Sequence, residues 1–301
     1  MRKNINFVAF LKYALILSGT LFVLSIVSIV VKGFNWGVDF AGGSAVYFKF
    51  SEKVEPQEIR NALSDLPVSF YLQEIQPPVG APQNESHFVL KTPIKNEKLL
   101  KLLISRLRAS FPKIEILKID MVGPAVGKKL RIQGLKAAIL ALLVILIYIS
   151  VRFEFDYGIG AVLALFHDVV ITLGLFSFLQ RSFDLNVLAA ILTLIGYSLN
   201  DTIVVYDRIR ENIRLYRGNK RYTMADLINM SINQTLSRTI NTSLTTLLAV
   251  GALFFLGGPV IHDFSLVMFF GVIVGTYSSI FIASPVLLLI HKENLRRSTF
   301  K

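Results

Sequence analysis

The sequence predicts a polytopic α-helical membrane protein that carries one folded domain outside the membrane. Of its 301 residues, 53% are apolar and 17% are charged, whereas an ordinary soluble domain has roughly 25% charged residues. Six long apolar runs, each with at most one charged residue, are long enough to cross a hydrocarbon core of about 30 Å. This composition excludes a soluble enzyme, a disordered chain and a fibre.

The six predicted transmembrane helices end near the first charged residues, because a charge buried in lipid is unfavourable. They are Tyr13–Val31, Leu135–Val151, Tyr157–Leu179, Leu185–Tyr206, Ile240–Leu256 and Phe264–Ile290. The first run is longer than the roughly 7–15 apolar residues of a signal peptide, and no small-residue cleavage site follows it. We therefore interpret it as a retained membrane anchor.

The basic residues of the short loops predict the orientation of these helices. Lys and Arg cluster at the N-terminus, in the segment 207–239 and in the tail 291–301, and are scarce in the opposite short loops. The positive-inside rule then places both termini in the cytoplasm. The predicted organisation is a first helix in residues 1–31, a periplasmic domain in 32–134, and helices 2–6 in 135–290. The net charge of +12 is explained by this topology and a mildly basic outer domain, so no nucleic-acid partner is predicted.

The outer domain is predicted to be α+β with the element order βαββαβ. Alternating apolar and β-branched residues indicate strands, and apolar residues three or four positions apart indicate helices. The predicted elements are strand Ser44–Ser51, helix Glu55–Leu66, strands Ser69–Gln76 and Ser86–Lys91, helix Lys95–Phe111 and strand Lys113–Met121. This order is that of a ferredoxin-like domain, a fold that does not by itself indicate a function.

Two carboxylates fall inside predicted transmembrane helices, where each costs about 2.5–3.5 kcal/mol on insertion scales. Asp168 lies at the middle of the third helix, and we leave open whether it makes a structural hydrogen bond, for example with His167, or takes part in proton transfer. Asp201 lies near the cytoplasmic end of the fourth helix. Either it pairs locally with Arg208, or it faces the bundle interior and binds and releases a proton, with Arg238 as the nearby cation.

No motif of covalent chemistry is found. The sequence has no Cys, no phosphate-binding glycine loop, no zinc-ligand spacing and no serine nucleophile elbow. We therefore predict no catalytic residue, no cofactor and no metal site. The segment 223–238 has helical apolar spacing and a capping-box start, and we leave open whether it is a plain connector or a helix that docks a partner.

Several segments closely resemble the SecF family, whose members are bacterial inner-membrane proteins of the export machinery within the resistance–nodulation–division superfamily. They are Trp36–Gly43 (WGVDFAGG), Val122–Gly127 (VGPAVG), His167-Asp168, Asn200–Asn212 (NDTIVVYDRIREN) and Ser237-Arg238-Thr239. The resemblance implies that Asp201 and Arg238 couple proton movement, with Asp168 as a further candidate. It also implies a set of family-motif residues, namely Asp39, Gly42, Gly43, Asp207 and Arg208.

The resemblance implies a partner, SecD, with which the chain forms a heterodimer. Together they would use the proton motive force to help SecYEG, and indirectly SecA, move unfolded preproteins outward across the lipid bilayer, with YajC as an accessory partner. The alternative is a self-sufficient proton-coupled exporter of small molecules, although such exporters generally contain two six-helix halves. A third possibility is a passive scaffold or receptor, for which neutralising Asp201 and Arg238 is harmless.

Overall fold

The computed structural model describes residues 5–66, 70–75, 77, 82, 84–94, 96–217, 219 and 221–288. The predicted tail 291–301, both end residues of the predicted strand at 69–76, the first residue of the predicted helix at 95–111 and the last two residues of the predicted span at 264–290 lie outside these ranges. In chain order the elements are α1 (Phe7–Lys32), β1 (Asn35–Trp36), α2 (Val38–Ala41), β2 (Gly43–Phe50), α3 (Pro56–Ala62), β3 (Tyr71–Ile75), β4 (Ser86–Thr92), α4 (Glu97–Ser110), β5 (Ile114–Val122), α5 (Pro124–Arg152), α6 (Phe155–Leu179), β6 (Ser182–Phe183), α7 (Leu185–Leu215), α8 (Met224–Leu256), α9 (Pro259–Ser278) and a π-helical turn (Ser279–Ala283).

Six of the described helices are long and apolar enough to cross a membrane, which confirms the predicted class. They are α1, α5, α6, α7, α8 and α9. In the most apolar window of α6 and of α9, 56% of the residues are buried inside the protein, against 11% in α5 and 17% in α1. Hence α6 and α9, with α7 beside them, form the centre of the bundle, and α1, α5 and α8 lie at its periphery.

Two of these helices extend well beyond the predicted spans. Most of the segment 207–239, predicted as a cytoplasmic loop, is helical, and 216–223 connects α7 to α8. The reason is that Ile209 on α7 and Ile228 and Ile232 on α8 belong to one buried apolar cluster, so apolar packing continues past the first charges. The helix α8 begins at a capping box between Thr223 and Asp226. The segment 223–238 is therefore the first part of α8, not a separate surface helix.

The outer domain has the predicted βαββαβ order. Its antiparallel sheet has the strand order β3-β4-β2-β5, which is the ferredoxin-like arrangement. The amphipathic helix α4 buries Leu100, Leu103 and Leu107, and these residues join Phe48 and Phe88 of the sheet in one core. The outer domain therefore has an apolar core of its own.

A strap not predicted from the sequence ties the outer domain to the bundle. Strand β1 pairs in parallel with β6, so that Asn35 lies opposite Ser182 and Trp36 opposite Phe183. The Trp36 ring makes edge contacts with Phe40 and Phe183, with ring centres 5.8 and 5.5 Å apart. The chain that leaves α1 is thereby fixed to the connection between α6 and α7.

Candidate functional site

Asp168 is the centre of a buried hydrogen-bond network that joins three helices of the bundle core. Its side chain is 1% exposed. The Oδ2 atom accepts hydrogen bonds from the hydroxyls of Ser198 on α7 at 2.6 Å and Ser278 on α9 at 2.7 Å. The Oδ1 atom lies 3.0 Å from Nδ1 of His167. Short bonds to a carboxylate of this kind are stronger than bonds between neutral groups.

The same network reaches the peripheral helix α1. The Nε2 atom of His167 lies 2.5 Å from the hydroxyl of Ser18, and the Phe22 ring is parallel to the imidazole ring at 6.2 Å. Asp168 therefore lies within hydrogen-bond distance of His167, as the structural interpretation expected. The observed network extends further than that one bond, because it links α1, α6, α7 and α9.

Asp201 forms a second buried centre on α7. Its Oδ1 atom accepts a hydrogen bond from Thr239 of α8 at 2.9 Å, and its Oδ2 atom accepts one from Ser279 at 2.9 Å. The side chain is 5% exposed. Asp201 therefore faces the bundle interior, in agreement with the interpretation that makes it a candidate for proton transfer.

The direct ion pair expected between Asp201 and Arg238 is not formed in the described part of the chain. Arg238 is exposed, although it is next in sequence to Thr239, which contacts Asp201. The alternative pairing of Asp201 with Arg208 is not formed either, because the guanidinium of Arg208 binds Glu211 at 2.6 Å and Gln234 at 2.6 Å. The physical reason is that both arginines point away from the core. Their charges stay hydrated at the surface, and burying them would be unfavourable.

Arg238 instead lines a basic groove of about 570 Å³ between the C-terminal ends of α5 and α7 and the middle of α8. Its charged lining residues are Arg152, Asp207, Arg208, Arg210, Glu211, Arg214 and Arg238. The family-motif residues Asp207 and Arg208 belong to this groove, where Asp207 pairs with Arg152 at 3.5 Å. Of the predicted site residues, Asp168 and Asp201 therefore lie in a buried polar core, and Arg238, Asp207 and Arg208 lie in this charged groove next to it.

The remaining motif residues form the joint between α1 and the outer domain. Asp39 accepts a hydrogen bond from the backbone N–H of Leu185 at 3.0 Å, and thus holds the start of α7. Gly42 and Gly43 have φ values of +76° and +125°, which residues with a side chain rarely adopt. A Cβ on Gly127 would lie 2.9 Å from the carbonyl oxygen of Phe40, so the two glycine-containing motifs pack directly on each other.

We expect Gly43→Ala to destabilise the joint. Its φ of +125° is strained for alanine, and a Cβ there would lie against the carbonyl oxygen of Thr92. Strain of this kind costs about 1–3 kcal/mol. Thermal unfolding of the purified chain in detergent measures the loss. Gly19→Ala, at a position with open space around it, serves as the matched control, and equal unfolding temperatures for the two variants would contradict the prediction.

A cluster of charged residues lies where the outer sheet meets the helix ends. Lys91 of β4, Asp184, His262 and Asp263 surround a cavity of about 30 Å³, which has room for one water molecule. Burial lowers the pKa of Lys91. Burial raises the pKa of the Asp184 carboxyl to about 6, and nearby Asp263 and Asp39 raise it further, against the backbone N–H of Val187 and the charge of Lys91.

We expect the contact at Asp184 to depend on pH. In the docked state the outer domain contacts the helix ends at Asp184, and in the released state this contact is open. Because the pKa of about 6 in the docked state exceeds the ordinary value, the docked state holds more protons than the released state between about pH 4 and 6. The contact is therefore strongest below this window and weakens as the pH rises through 6. Hydrogen exchange of the Gly37 amide, which bonds to Phe183, measures it.

The control for this dependence is Asp184→Asn. Asparagine still caps α7 through the Val187 N–H but does not titrate, so the variant is expected to lose the pH dependence. Asp65→Asn, which removes an exposed carboxylate of the outer domain, is expected to keep it. If the Gly37 amide of the parent chain is equally protected from hydrogen exchange at pH 5 and 7.5, after correction for intrinsic exchange, the prediction is contradicted.

The hydroxyl partners of the two carboxylates and the charged cluster were not predicted from the sequence. The signal for the hydroxyls is weak, since serine and threonine in membrane helices often bond to their own backbone, as Thr242 does with the Arg238 carbonyl. The pair Ser278-Ser279 inside an apolar run is the one local feature that points to the network. Among the described residues, no group of three or more His, Asp or Glu side chains is placed to hold a metal ion.

The fold and the site together define a multi-pass membrane protein with ionisable groups in its core helices and an external α+β domain. The chain belongs to the SecD/SecF family of protein export membrane proteins. The family model described as "Protein export membrane protein SecD/SecF, C-terminal" matches residues 103–293. A second model, "SecD/SecF GG Motif", matches residues 27–54, which contain Asp39, Gly42 and Gly43.

Relatives similar over nearly the whole chain are named protein translocase subunit SecF. The one from Desulfurispirillum indicum is 44% identical and the match covers 95% of this chain and 93% of the relative. The one from Calditerrivibrio nitroreducens is 42% identical, with 98% and 96% covered.

Two solved structures of SecDF also resemble the chain. A crystal structure of SecDF, a translocon-associated membrane protein from Thermus thermophilus, matches with a TM-score of 0.87 and 38% identity over 97% of this chain and 39% of that chain. SecDF in a super-membrane-facing form matches with a TM-score of 0.73 and 38% identity over 100% of this chain and 41% of that chain. This chain therefore spans about two fifths of the length of those solved chains.

Proposed function

We propose that the chain is a SecF-type subunit that couples proton movement across the membrane to movement of its external domain. With a SecD partner it promotes translocation of unfolded preproteins and their release on the periplasmic side. The observation that carries this proposal is the buried carboxylate network in the core helices of a bundle to which a folded domain is strapped.

The partners of Asp201 suit a carboxyl group that gains and loses a proton. A hydroxyl can donate to an ionised carboxylate and can accept from a protonated carboxyl. Thr239 and Ser279 therefore satisfy Asp201 in both states, whereas a direct arginine pair would favour the ionised state alone. The exposed Arg238 would act on Asp201 through the field of the basic groove.

The available energy matches a domain movement. A proton that crosses a potential of 100 mV releases about 2.3 kcal/mol. This energy changes the equilibrium constant between two conformations by more than tenfold, so it can shift a domain between two states whose free energies differ by a similar amount. The two solved structures of SecDF support such a movement, because both match this chain at 38% identity but with different TM-scores, 0.87 and 0.73.

The surface for the SecD partner is proposed to be the exposed face of α7. Thr193, Gly196 and Asn200 are exposed there at the depth of the membrane, and open space lies above Gly196. Polar side chains at this depth favour contact with another helix, and a glycine allows a close approach. A SecD helix would cover them, and SecYEG, SecA and YajC would complete the assembly.

We expect cysteine cross-linking to detect this contact. The chain has no native Cys, so Asn200→Cys introduces a single thiol. Paired with single-cysteine variants along the facing SecD helices, it is expected to form an intermolecular disulfide. Val151→Cys, 83% exposed at the end of α5, is the control that is expected not to cross-link. Cross-linking from Val151→Cys alone would refute the α7 surface.

The proposed location is the bacterial inner membrane with both termini in the cytoplasm. The five arginines of the basic groove support this orientation, because basic residues favour the cytoplasmic side. The outer domain, attached at the opposite helix ends, would then be periplasmic.

The test is translocation in proteoliposomes that contain SecYEG, SecA, SecD and this chain. An imposed proton motive force is expected to speed preprotein release, and an ionophore or omission of the chain to remove this gain. The small-molecule exporter predicts instead proton-coupled solute transport by the chain without SecD. An unchanged rate without the chain would overturn the proposal.

A further inference from the structure

Two neighbouring serines at the end of α9 contact the two buried carboxylates separately. Ser278 donates to Asp168 at 2.7 Å, and Ser279 donates to Asp201 at 2.9 Å. Both serines are fully buried. Consecutive residues of a helix point about 100° apart, so one short segment of backbone can serve carboxylates on two different helices.

We propose that Ser278 and Ser279 are positioning residues that couple the protonation state of Asp201 to the Asp168 network through α9. The functional meaning of this coupling rests on the proposed proton transfer, but the coupling itself is a property of the fold. Its direction is from Asp201, through α9, to Asp168, His167 and α1.

The hydroxyl geometry supplies a switch. The Ser279 hydroxyl lies 2.9 Å from Asp201 and also 3.0 Å from the carbonyl oxygen of Thr276, yet it has one hydrogen to donate. When Asp201 is ionised, the hydrogen points to the carboxylate. When Asp201 is protonated, its own hydrogen can be donated to Ser279, and the serine hydrogen turns to the Thr276 carbonyl.

Ser278 has the same choice of acceptors. Its hydroxyl lies 2.7 Å from Asp168 and 3.1 Å from the carbonyl oxygen of Gly275. The two carbonyls that receive these hydrogens, those of Gly275 and Thr276, are consecutive on α9. A proton on Asp201 therefore changes hydrogen bonding in the helical turn that also holds the donor to Asp168.

The backbone at this point is able to respond. The helix α9 changes to a π-helical turn at Ser279–Ala283, and such turns are frequent at functional sites. The carbonyl oxygen of Ala283 accepts a hydrogen bond from the Tyr206 hydroxyl at 3.1 Å, and the Ser284 hydroxyl donates to the Ser279 carbonyl at 2.9 Å. These side-chain bonds hold the wider turn in place and connect it to α7, which carries Asp201.

A double-mutant cycle on the purified chain tests the coupling without any transport assay. The Asp168→Asn and Asp201→Asn substitutions are expected to change the unfolding temperature non-additively, by about 3 °C. In a background with both Ser278→Ala and Ser279→Ala, the two effects are expected to add. Two control backgrounds are expected to keep the non-additivity. Ser198→Ala removes the α7 donor to Asp168, and Ser265→Ala removes the hydroxyl of a buried serine elsewhere on α9. Additive effects in the parent, or non-additivity that survives the serine double variant, would overturn the coupling.

A second measurement separates positioning from a merely structural role. In the reconstituted translocation system, Ser279→Ala is expected to raise the pH of half-maximal proton-driven activity by about one unit, because loss of a donor to a carboxylate favours its protonated form. Ser279→Thr, which keeps the hydroxyl, is expected to restore the parent profile, and Ser265→Ala to leave it unchanged. A parent system without proton-driven activity would overturn the proposed function, while the double-mutant cycle would still decide the coupling. An identical pH profile for Ser279→Ala and the parent would overturn the positioning role of Ser279.

Discussion

Asp201→Asn is expected to abolish the proton-driven part of preprotein translocation while the chain stays folded. Asparagine has the same shape and can still accept a hydrogen bond from Thr239, so the packing of α7 against α8 is kept. It cannot bind and release a proton at physiological pH. The rate gain from an imposed proton motive force is expected to fall at least tenfold, and the ATP-driven rate to stay the same.

The control for this experiment is Glu154→Gln. Glu154 is an exposed carboxylate just before α6, so its neutralisation changes the net charge by the same amount without touching the core network. It is expected to leave the proton-driven gain intact. Full proton-driven release by Asp201→Asn would end the proposed mechanism, and it would favour the passive scaffold.

The fold was largely predictable because its signals are local. Periodic apolar residues defined each element of the outer domain, and long apolar runs with few charges defined each membrane helix. The helix ends were predicted less well, because a charge marks where lipid ends and not where the helix ends. Ile209 and Ile232 continue the apolar packing of α7 and α8 beyond that point.

The candidate site was predictable in its carboxylates but not in their partners. A carboxylate in a membrane helix stands out because its burial is unfavourable. Its hydrogen-bond partners depend on which residues of neighbouring helices come close to it, and the sequence alone does not show these distances. Arg238 was the obvious choice by charge, whereas the bundle provides Thr239 and Ser279, two residues that are unremarkable in the sequence. The pairing of β1 with β6 was missed for the same reason, since each strand has two residues.

Asp168→Ala is expected to lower the stability of the bundle more than any other single substitution considered for the core. The change leaves the buried hydroxyl of Ser198 and the His167 ring without their shared acceptor, and it leaves Ser278 with only the more distant Gly275 carbonyl. Each unsatisfied buried group costs about 1–3 kcal/mol. The combined loss is expected to lower the unfolding temperature in detergent by roughly 10 °C.

Asp168→Asn separates the loss of the acceptor from the loss of the charge. The amide oxygen of asparagine can still accept hydrogen bonds from Ser198 and Ser278, so the variant is expected to recover at least half of the lost stability. If Asp168 is structural, Asp168→Asn also keeps the proton-driven gain that Asp201→Asn loses. If it carries protons, both asparagine variants lose that gain although Asp168→Asn remains stable. Equal unfolding temperatures for Asp168→Ala and the parent would contradict the network as the support of the core, because an acceptor shared by α6, α7 and α9 cannot be removed without effect if those bonds hold the helices together.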